Sequence, residues 1–527
     1  MASKTRIFFL NALSLTATAL IMRGVGMIFN VIVSNRAGSE AMGLYSMLES
    51  VYAFSITLGA AGVNLGATRL ISEALGLGDE QQAKKVAKKA LIYCTITSLF
   101  AATLLFLLSP ILGEHLLCDV RSIKPLRILS LTITPIAICS CISGYFTAVR
   151  RVRANAALQI VAQFAKIGAT LVFLSTFSNH DPETACIALV LGGAVAEFLS
   201  LTISYILYRM DRRRLKAAYN QESKASVSGG LLSITLPVTF SACIRSLLSM
   251  LQHVLIPRGL KSSGKSWSDA LSSYGALHGM AMPLILFPSA FISSFAGLLI
   301  PEIGECVVQN NNSRLARASS RALTLSLIFS IGVSGIMLFF SKELGMLIYN
   351  SEETALYIRI MAPLIPVMYI DGTVDAILKG TGHQVYSMNV NIADALTACL
   401  FALFLIPKLG IWGYIISIYA TEILNTTLSL IKMISVSKIK PSIMRGVVLP
   451  IFCIIGATNI SKLILYFVPI TLEGFWGLTV QIIMTVLLYL LLLLTTRTIG
   501  KDQWEFIYAS VLSKKAYDKR FASQISE

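Results

Sequence analysis

Two arginines lie near the centres of long apolar stretches, where a positive charge is least expected. Arg23 is the only charged residue in 7–34, and Arg245 has the same central place in 231–256. A guanidinium in the middle of a bilayer costs about 2.5–3.5 kcal/mol on insertion scales, so it usually faces water, a carboxylate or an anionic ligand. Because guanidinium groups bind phosphate in a bidentate manner, these two residues predict an anion-binding cavity.

A structural ion pair is the alternative explanation for each buried cation. Arg23 has a candidate partner in Glu49 of the next apolar stretch. Lys166 is a third basic residue at depth, and it can serve either a bound anion or an internal carboxylate. Glu197 and Glu422 occupy related positions within the apolar stretches 184–208 and 411–431, and internal ion pairing is the favoured reading for both.

Four further carboxylates are candidates for coupling to a cation or for ion pairing. They are Glu49, Asp371, Asp375 and Asp394. Asp371 and Asp375 are four residues apart and therefore share one face of a helix, although Asp375 also suits a role in solvating the end of that helix. The sequence contains no Walker loop, HExxH, GxSxG or paired-cysteine zinc pattern, so we predict neither an enzyme nor a bound cofactor or metal, and no ATP-driven pump.

The elements that carry these residues are predicted to be membrane-spanning helices. The mean hydropathy is +0.72, with 55% hydrophobic and 13% charged residues, which is typical of a polytopic membrane protein. A helix of about 20 apolar residues spans a bilayer, and lipid leaves no backbone group unpaired. We predict an all-α protein with fourteen transmembrane helices, at 7–33, 41–67, 88–112, 125–149, 154–177, 184–208, 231–256, 272–300, 322–340, 355–378, 386–406, 411–431, 446–468 and 474–496.

The distribution of positive charge predicts the orientation of these helices. The formal net charge is +17, and most of the 44 lysine and arginine residues fall in the loops on the side that carries both termini. By the positive-inside rule, that side is cytoplasmic. The basic surplus therefore needs no nucleic-acid partner, and the run at 209–216 is expected to meet anionic lipid headgroups.

An internal duplication divides the chain. Arg23 and Arg36 align with Arg245 and Arg258 at one offset, and later pairs such as Tyr45 with Tyr274 follow in the same order. Parallel repeats of six spans place a substrate path between two lobes. The predicted organisation is therefore a six-helix lobe at 1–210, a cytoplasmic linker at 211–230, a second six-helix lobe at 231–435, two additional helices at 436–497, and a cytoplasmic tail at 498–527 with an amphipathic helix or a plain solvated chain.

Four sequence segments carry a resemblance to a known family. They are AMGLYSMLESVYAF at 41–54, AAGVNLGATRLISEA at 60–74, SGYFTAVRRVRANAALQIVAQFAK at 143–166, and IPEIGE at 300–305. With the central arginine of the first span, they resemble the stage V sporulation protein B group of polysaccharide biosynthesis flippases. This group belongs to the MOP superfamily, together with the MurJ-type lipid II flippases and the MATE antiporters.

The resemblance implies movement of an undecaprenyl-pyrophosphate-linked peptidoglycan precursor, a lipid II-like molecule for the spore cortex, from the inner to the outer leaflet. In this reading Arg23 and Arg245 hold the pyrophosphate, Arg69 lies at the inner gate and Lys166 assists. The two additional helices would form a groove for the lipid tail, and cell-wall synthesis proteins are possible partners.

Two other functions stay open at this point. A MATE-like exporter of small organic cations is favoured by Glu49, Asp371 and Asp394 and is disfavoured by the central arginines. A membrane scaffold for cell-wall synthesis would tolerate substitutions of single residues in the cavity.

Overall fold

The protein is built from helices throughout the part that the structure describes. The computed structural model describes residues 2–77, 79–149, 151–177, 181–214, 227–439, 443–467, 474–496 and 498. Thirteen helices within these residues are long and apolar enough to cross a membrane. The predicted all-α, multi-pass membrane fold is therefore confirmed. The predicted tail at 498–527, apart from residue 498, and most of the predicted linker at 211–230 lie outside the described residues.

The helices follow the apolar stretches of the sequence because an α-helix pairs its own backbone groups. In chain order they are α1 (Ala2–Ala60), α2 (Val63–Gly76), α3 (Glu80–Ile111), α4 (Ile123–Ala148), α5 (Val152–Phe177), α6 (Pro182–Arg214), α7 (Val227–Ser262), α8 (Trp267–Tyr274), α9 (Met282–Leu286), α10 (Ser289–Val308), α11 (Asn312–Phe339), α12 (Ser341–Tyr349), α13 (Glu352–Met361), α14 (Ile365–Gly380), α15 (Gln384–Phe404), α16 (Ile406–Leu409), α17 (Ile411–Ser437), α18 (Leu449–Phe467) and α19 (Gly474–Thr495).

The first two predicted spans lie on α1 and α2, which together are too long for a single crossing. The apolar stretch Leu20–Gly76 has 57 residues, far more than the roughly 20 that span a hydrocarbon core, and it is divided by Gly38 and by a turn at Ala61 and Gly62. Gly38 interrupts α1 with φ 80° and ψ 167°, a conformation that glycine adopts without the steric cost of a Cβ. A total of fourteen spans stays a prediction.

Prolines divide two of the other predicted spans. The predicted helix at 272–300 consists of α8, a π-helical segment at Gly275–Ala281, α9 and α10, with Pro288 between the last two. The predicted helix at 355–378 consists of α13, a 3₁₀ turn at Ala362–Leu364 and α14. Proline has no N–H to donate and clashes with the preceding turn, so these spans are segmented.

The described chain packs into two compact units. Unit I comprises Gly24–Met280 and Ala395–Ser417. One of its core clusters joins α2, α3 and α4 around fully buried Ile71, Ala90 and Cys94. Helix α7 is fixed to the end of α1 because Thr239 Oγ1 donates to the Ala61 carbonyl oxygen at 2.6 Å.

Unit II comprises Met1–Arg23, Ala281–Asp394 and Ile418–Glu527. One core cluster joins α10, α11, α14 and α17, and a second joins α11 to α18 and α19. In the second cluster the buried Tyr489 hydroxyl donates to the Ile328 carbonyl oxygen at 2.8 Å. The last two helices are therefore anchored to α11. The predicted lobe boundaries, which follow the sequence repeat, stay a prediction.

Candidate functional site

The two central arginines are left without carboxylate partners. Arg23 on α1 and Arg245 on α7 are both exposed, and neither forms an ion pair with any residue that the structure describes. Glu49, the candidate partner in the sequence, is also exposed and also lacks an ion pair within the described ranges. A guanidinium at this depth must then be solvated by water or by an anion.

Several other arginines bind partners within the described chain. Arg121 binds both Glu40 and Asp119, and Arg151 forms an ion pair with buried Asp211. Arg127, which lies in a membrane helix, donates to Ser109 Oγ at 3.2 Å and stacks over Phe106 at 5.6 Å from the ring centroid. Arg23 and Arg245 thus differ from arginines whose charge is already satisfied within the fold.

Arg69 is one of the paired arginines. Its Nε lies 2.9 Å from Glu73 Oε1, four residues along α2, and both side chains are more than half exposed. An exposed pair of this kind contributes little to stability, about 0.3–0.5 kcal/mol. Arg69 therefore remains available to a competing anion at the predicted cytoplasmic end of α2.

Lys166 is one of several polar groups that interact with one another in unit I. Half-buried Lys166 on α5 interacts electrostatically with Glu197 on α6. Tyr52 on α1 interacts with both Glu197 and Glu49, and its hydroxyl is hydrogen-bonded to Thr132 of α4. The structure therefore places Lys166 beside a carboxylate, which leaves both sequence-based readings of this residue open.

Unit II brings three carboxylates from different helices close together. Asp371 on α14 and Asp394 on α15 interact electrostatically with each other, and both interact with Glu422 on α17. Tyr419 donates to the Ile360 carbonyl oxygen at 2.5 Å, and this contact fixes the turn before Glu422. The Oδ1 atom of Asp371 is buried and has no hydrogen-bond partner among the described residues.

Asp375 has a different environment from Asp371, although the two share a helix. Its Oδ2 lies 3.1 Å from Lys379 Nζ, and its Oδ1 accepts a hydrogen bond from Ser387. The charge of Asp375 is thus paired locally. Glu422 is the third member of the acidic cluster that it forms with Asp371 and Asp394. The sequence favours ion pairing for Glu422, and it does not show this cluster because α14 and α15 are distant from Glu422 along the chain.

A polar network that sequence reasoning missed lies at the predicted external end of unit I. Asp119, between α3 and α4, accepts hydrogen bonds from Arg121 Nη2 at 2.8 Å and from Trp267 Nε1 at 2.9 Å. Arg121 Nη1 also donates to Glu40 of α1 at 3.0 Å. The Ser268 hydroxyl on α8 donates to the other oxygen of Glu40 at 2.6 Å. The network connects α1 to α8 through the loop between α3 and α4.

The electrostatics of this network favour an ionised Asp119. Burial of the carboxyl raises its pKa, but the hydrogen bonds from Arg121 and Trp267 and the charge of Arg121 outweigh burial, so the pKa lies below its ordinary value. Hydrogen bonds to the charged form of a carboxylate stabilise that form. The site is therefore a structural ion pair and holds its charge at neutral pH.

Known family profiles and related sequences match most of the chain. The profile of the polysaccharide biosynthesis protein family matches residues 9–307, more than half of the sequence, and the MatE profile matches residues 237–404. Stage V sporulation protein B of Bacillus subtilis (strain 168) is 28% identical over 511 residues, which cover 95% of this chain and 98% of that protein. Lipid II flippase MurJ of the same organism is 22% identical over 399 residues, covering 71% and 73% of the two chains.

Solved structures share this fold at low sequence identity. The inward closed conformation of lipid II flippase MurJ has a TM-score of 0.66 at 13% identity and covers 92% of this chain and 99% of that structure. An inward-facing multidrug resistance MATE transporter of the MOP superfamily has a TM-score of 0.60 at 14% identity, covering 82% and 99%. The resemblance noted in the sequence is confirmed: the chain belongs to the polysaccharide biosynthesis protein family and has the fold of the MOP superfamily.

Proposed function

We propose that the protein is a flippase that moves a polyprenyl-pyrophosphate-linked saccharide from the inner to the outer leaflet of a bacterial cell membrane. The substrate is a lipid II-like peptidoglycan precursor, and the physiological role is in the spore cortex. The protein acts as a transporter and not as an enzyme, by alternating access between two lobes. Both termini lie in the cytoplasm.

The observation that carries this proposal is the unpaired state of Arg23 and Arg245. Two exposed guanidinium groups in membrane helices, without an ion-pair partner in the described chain, need an anion or water to offset the cost of their burial in lipid. A pyrophosphate offers several oxygens in the geometry that guanidinium groups bind best. The sequence similarity to lipid II flippase MurJ supports the same substrate class, and the similarity to stage V sporulation protein B supports a role in sporulation.

Two further basic residues have supporting roles in the proposed cycle. Arg69 exchanges its exposed partner Glu73 for the pyrophosphate at the inner gate. Lys166 adds a positive charge to the pyrophosphate site when its interaction with Glu197 is broken. Helices α18 and α19, which pack on α11, provide a surface for the lipid tail, and cell-wall synthesis proteins receive the product outside.

Reconstitution of the full-length protein in liposomes tests the proposal. Fluorescent lipid II, a polyprenyl-pyrophosphate carrying another sugar, and fluorescent phosphatidylcholine are incorporated, and the fraction of each in the outer leaflet is followed by quenching. We expect translocation of pyrophosphate-linked lipids and none of phosphatidylcholine. A verified folded protein that moves no pyrophosphate-linked lipid would disprove the proposal.

A cation-coupled exporter of small molecules is the second candidate. The MatE profile over residues 237–404 and the acidic cluster of Asp371, Asp394 and Glu422 favour it. The same carboxylates, or the membrane potential, can drive a flippase in the first proposal. Efflux of organic cations from loaded liposomes that is lost in Asp371→Asn but kept in Arg23→Ala would favour the exporter.

A further inference from the structure

A cluster of two histidines and two tyrosines in unit I has no part in the proposed substrate cycle. The rings of His253 on α7 and His278 in the π-helical segment lie 4.5 Å apart between centroids. The Tyr274 ring stacks on His278 at 5.3 Å with an interplanar angle of 6°. π-Helical segments often occur at functional sites, because the extra residue changes the direction of the side chains.

Hydrogen bonds in the cluster suit neutral imidazole rings. His253 Nδ1 is 3.0 Å from the Tyr274 hydroxyl, and His278 Nδ1 is 3.5 Å from the Tyr414 hydroxyl. A hydroxyl can donate to a neutral ring nitrogen, whereas a protonated ring turns that nitrogen into a donor. The two histidines are half-buried and the two tyrosines are buried, so a proton can reach the rings while the surrounding contacts stay close.

The groups that face the cluster do not neutralise an imidazolium. Within the described residues no carboxylate is hydrogen-bonded to either ring. Glu49 of α1 interacts electrostatically with Tyr274 of the cluster. At 4.5 Å, two positive rings would also repel each other. Other titratable or charged groups on the elements around the pair include Asp269 on α8, which accepts from Ser266, and Lys261 on α7, which lies over the Trp267 ring. They also include exposed Arg245 on α7, Lys265 bound to Ser273, Arg258 bound to the His115 carbonyl group, Cys399 on α15 and exposed Lys408 on α16.

The cluster adjoins a close crossing between α1 and the α8 segment. Ser39 and Ser272 are hydrogen-bonded through their hydroxyls at 2.6 Å. A Cβ added at Gly43 would collide with the Leu271 carbonyl oxygen, and one added at Gly275 would collide with the Ser39 carbonyl oxygen. Because Tyr274 precedes Gly275 directly, we expect a displacement of the Tyr274 ring to disturb this crossing.

We propose that His253 and His278 form a proton-binding site whose occupation opens the crossing between α1 and α8. In the packed arrangement a charged ring lacks a counter-ion and repels its neighbour. In the open arrangement water hydrates both rings, and hydration favours the protonated form of an imidazole. A ligand shifts an equilibrium only by its difference in affinity between two states, so protons favour the open state. The inference rests on the proposed flippase function for its purpose, which is opening the predicted external end of the path.

Hydrogen exchange of the full-length protein in lipid nanodiscs tests this site. After correction for the intrinsic pH dependence of exchange, we expect protection of residues 267–281 to fall between pH 7.5 and pH 5.5 by about tenfold for one histidine and by up to about a hundredfold for two. Asp119 stays ionised over this range because its pKa is lowered, so its bond to Trp267 does not account for the change.

The matched variants are His253→Gln and His278→Gln, with His115→Gln as the control. His115 is exposed and contacts Arg258 only through its carbonyl oxygen. We expect the pH response to shrink to less than about twofold in the double variant and to persist in the control. A wild-type response below twofold, or an unchanged response in the double variant, would overturn the proposal.

A second measurement needs no variant that could fail to fold. In wild-type protein labelled with ¹⁵N-histidine, two coupled imidazole resonances should titrate together with the loss of protection, and independent titration of all rings would refute the site. Lipid translocation is measured separately. If lipid moves at a rate independent of pH and protection does not change with pH, this inference fails while the flippase proposal stands. If protection falls at low pH but no lipid moves, the flippase proposal fails while the proton-binding site stands.

Discussion

At the scale of single residues, the pairing of charges separates structural from functional candidates. Arg121 and Asp119 satisfy each other within 2.8 Å, and Asp375 is bound by Lys379 and Ser387. Arg23 and Arg245 have no such partner among the described residues. Burial of an unpaired charge is costly, so the paired groups are expected to govern stability and the unpaired ones transport.

Asp119→Asn should destabilise the protein at neutral pH. The change removes the charge that Arg121 and Trp267 bind. Because Arg121 is partly exposed and keeps Glu40 as a partner, the expected cost is about 1–3 kcal/mol. Because the folded-state pKa of Asp119 is lowered, its contribution is fully present above the unfolded pKa of about 3.9 and is lost as the pH falls below it. Thermal unfolding in detergent at several pH values measures the difference.

Exposed Glu114 on the same loop provides the control for this series. Glu114→Gln should unfold within about 1 °C of the wild type at all pH values. An Asp119→Asn protein as stable as the wild type at pH 7 would show that the network does not hold this end of unit I together.

At the scale of elements, the crossing of α1 and α8 depends on the absence of two side chains. Gly43 and Gly275 allow backbone contact, and Ser39 binds Ser272 across it. Small residues permit this close approach in membrane helices. The sequence predicted spans over both segments but not the crossing, because periodicity and hydropathy contain no information on which distant helices meet.

Gly43→Ala should weaken this crossing. Its methyl group would overlap the Leu271 carbonyl oxygen, which is backbone and cannot turn aside. Overpacking of this kind typically costs about 1–3 kcal/mol. Thermal unfolding should therefore occur at a lower temperature, and hydrogen exchange at 39–43 should be faster.

Gly168→Ala on α5 is the matched control, because a Cβ there meets nothing within 4 Å. It should leave the unfolding temperature unchanged or raise it slightly, since alanine favours the helix over glycine. Equal effects of the two substitutions would mean that the crossing is not tightly packed in the membrane.

At the scale of the whole molecule, the sequence predicted the fold class because the bilayer restricts a spanning chain to a few solutions. The positions of the apolar helices follow hydropathy closely. The helix interruptions at Gly38, Pro288 and Ala362–Leu364 could not be predicted from the sequence, because tertiary packing decides whether a glycine or proline breaks a helix. Of the candidate site, the sequence identified the unpaired arginines but not the convergence of Glu422 on Asp371 or of His278 on His253, which connect residues far apart in the chain.

Orientation in the membrane can be tested on the natural cysteines. Cys118 is exposed in the loop between α3 and α4, which charge distribution places outside the cell. A membrane-impermeant maleimide should therefore label intact cells, and Cys118→Ser should abolish that labelling. Labelling that requires permeabilised cells would reverse the predicted topology.

The central claim is that Arg23 and Arg245 bind the pyrophosphate of the substrate. The most direct measurement is the rate of fluorescent lipid II translocation in liposomes containing Arg23→Ala, Arg245→Ala or both, with Arg127→Ala as the control arginine in a membrane helix and with folding verified by thermal unfolding. Loss of one hydrogen-bonded charge costs about 1.5–3 kcal/mol, so each single variant should be at least about tenfold slower, the double variant should fall to the background of empty liposomes, and the control should stay within about twofold of the wild type. A folded double variant that translocates lipid II at the wild-type rate would contradict the account.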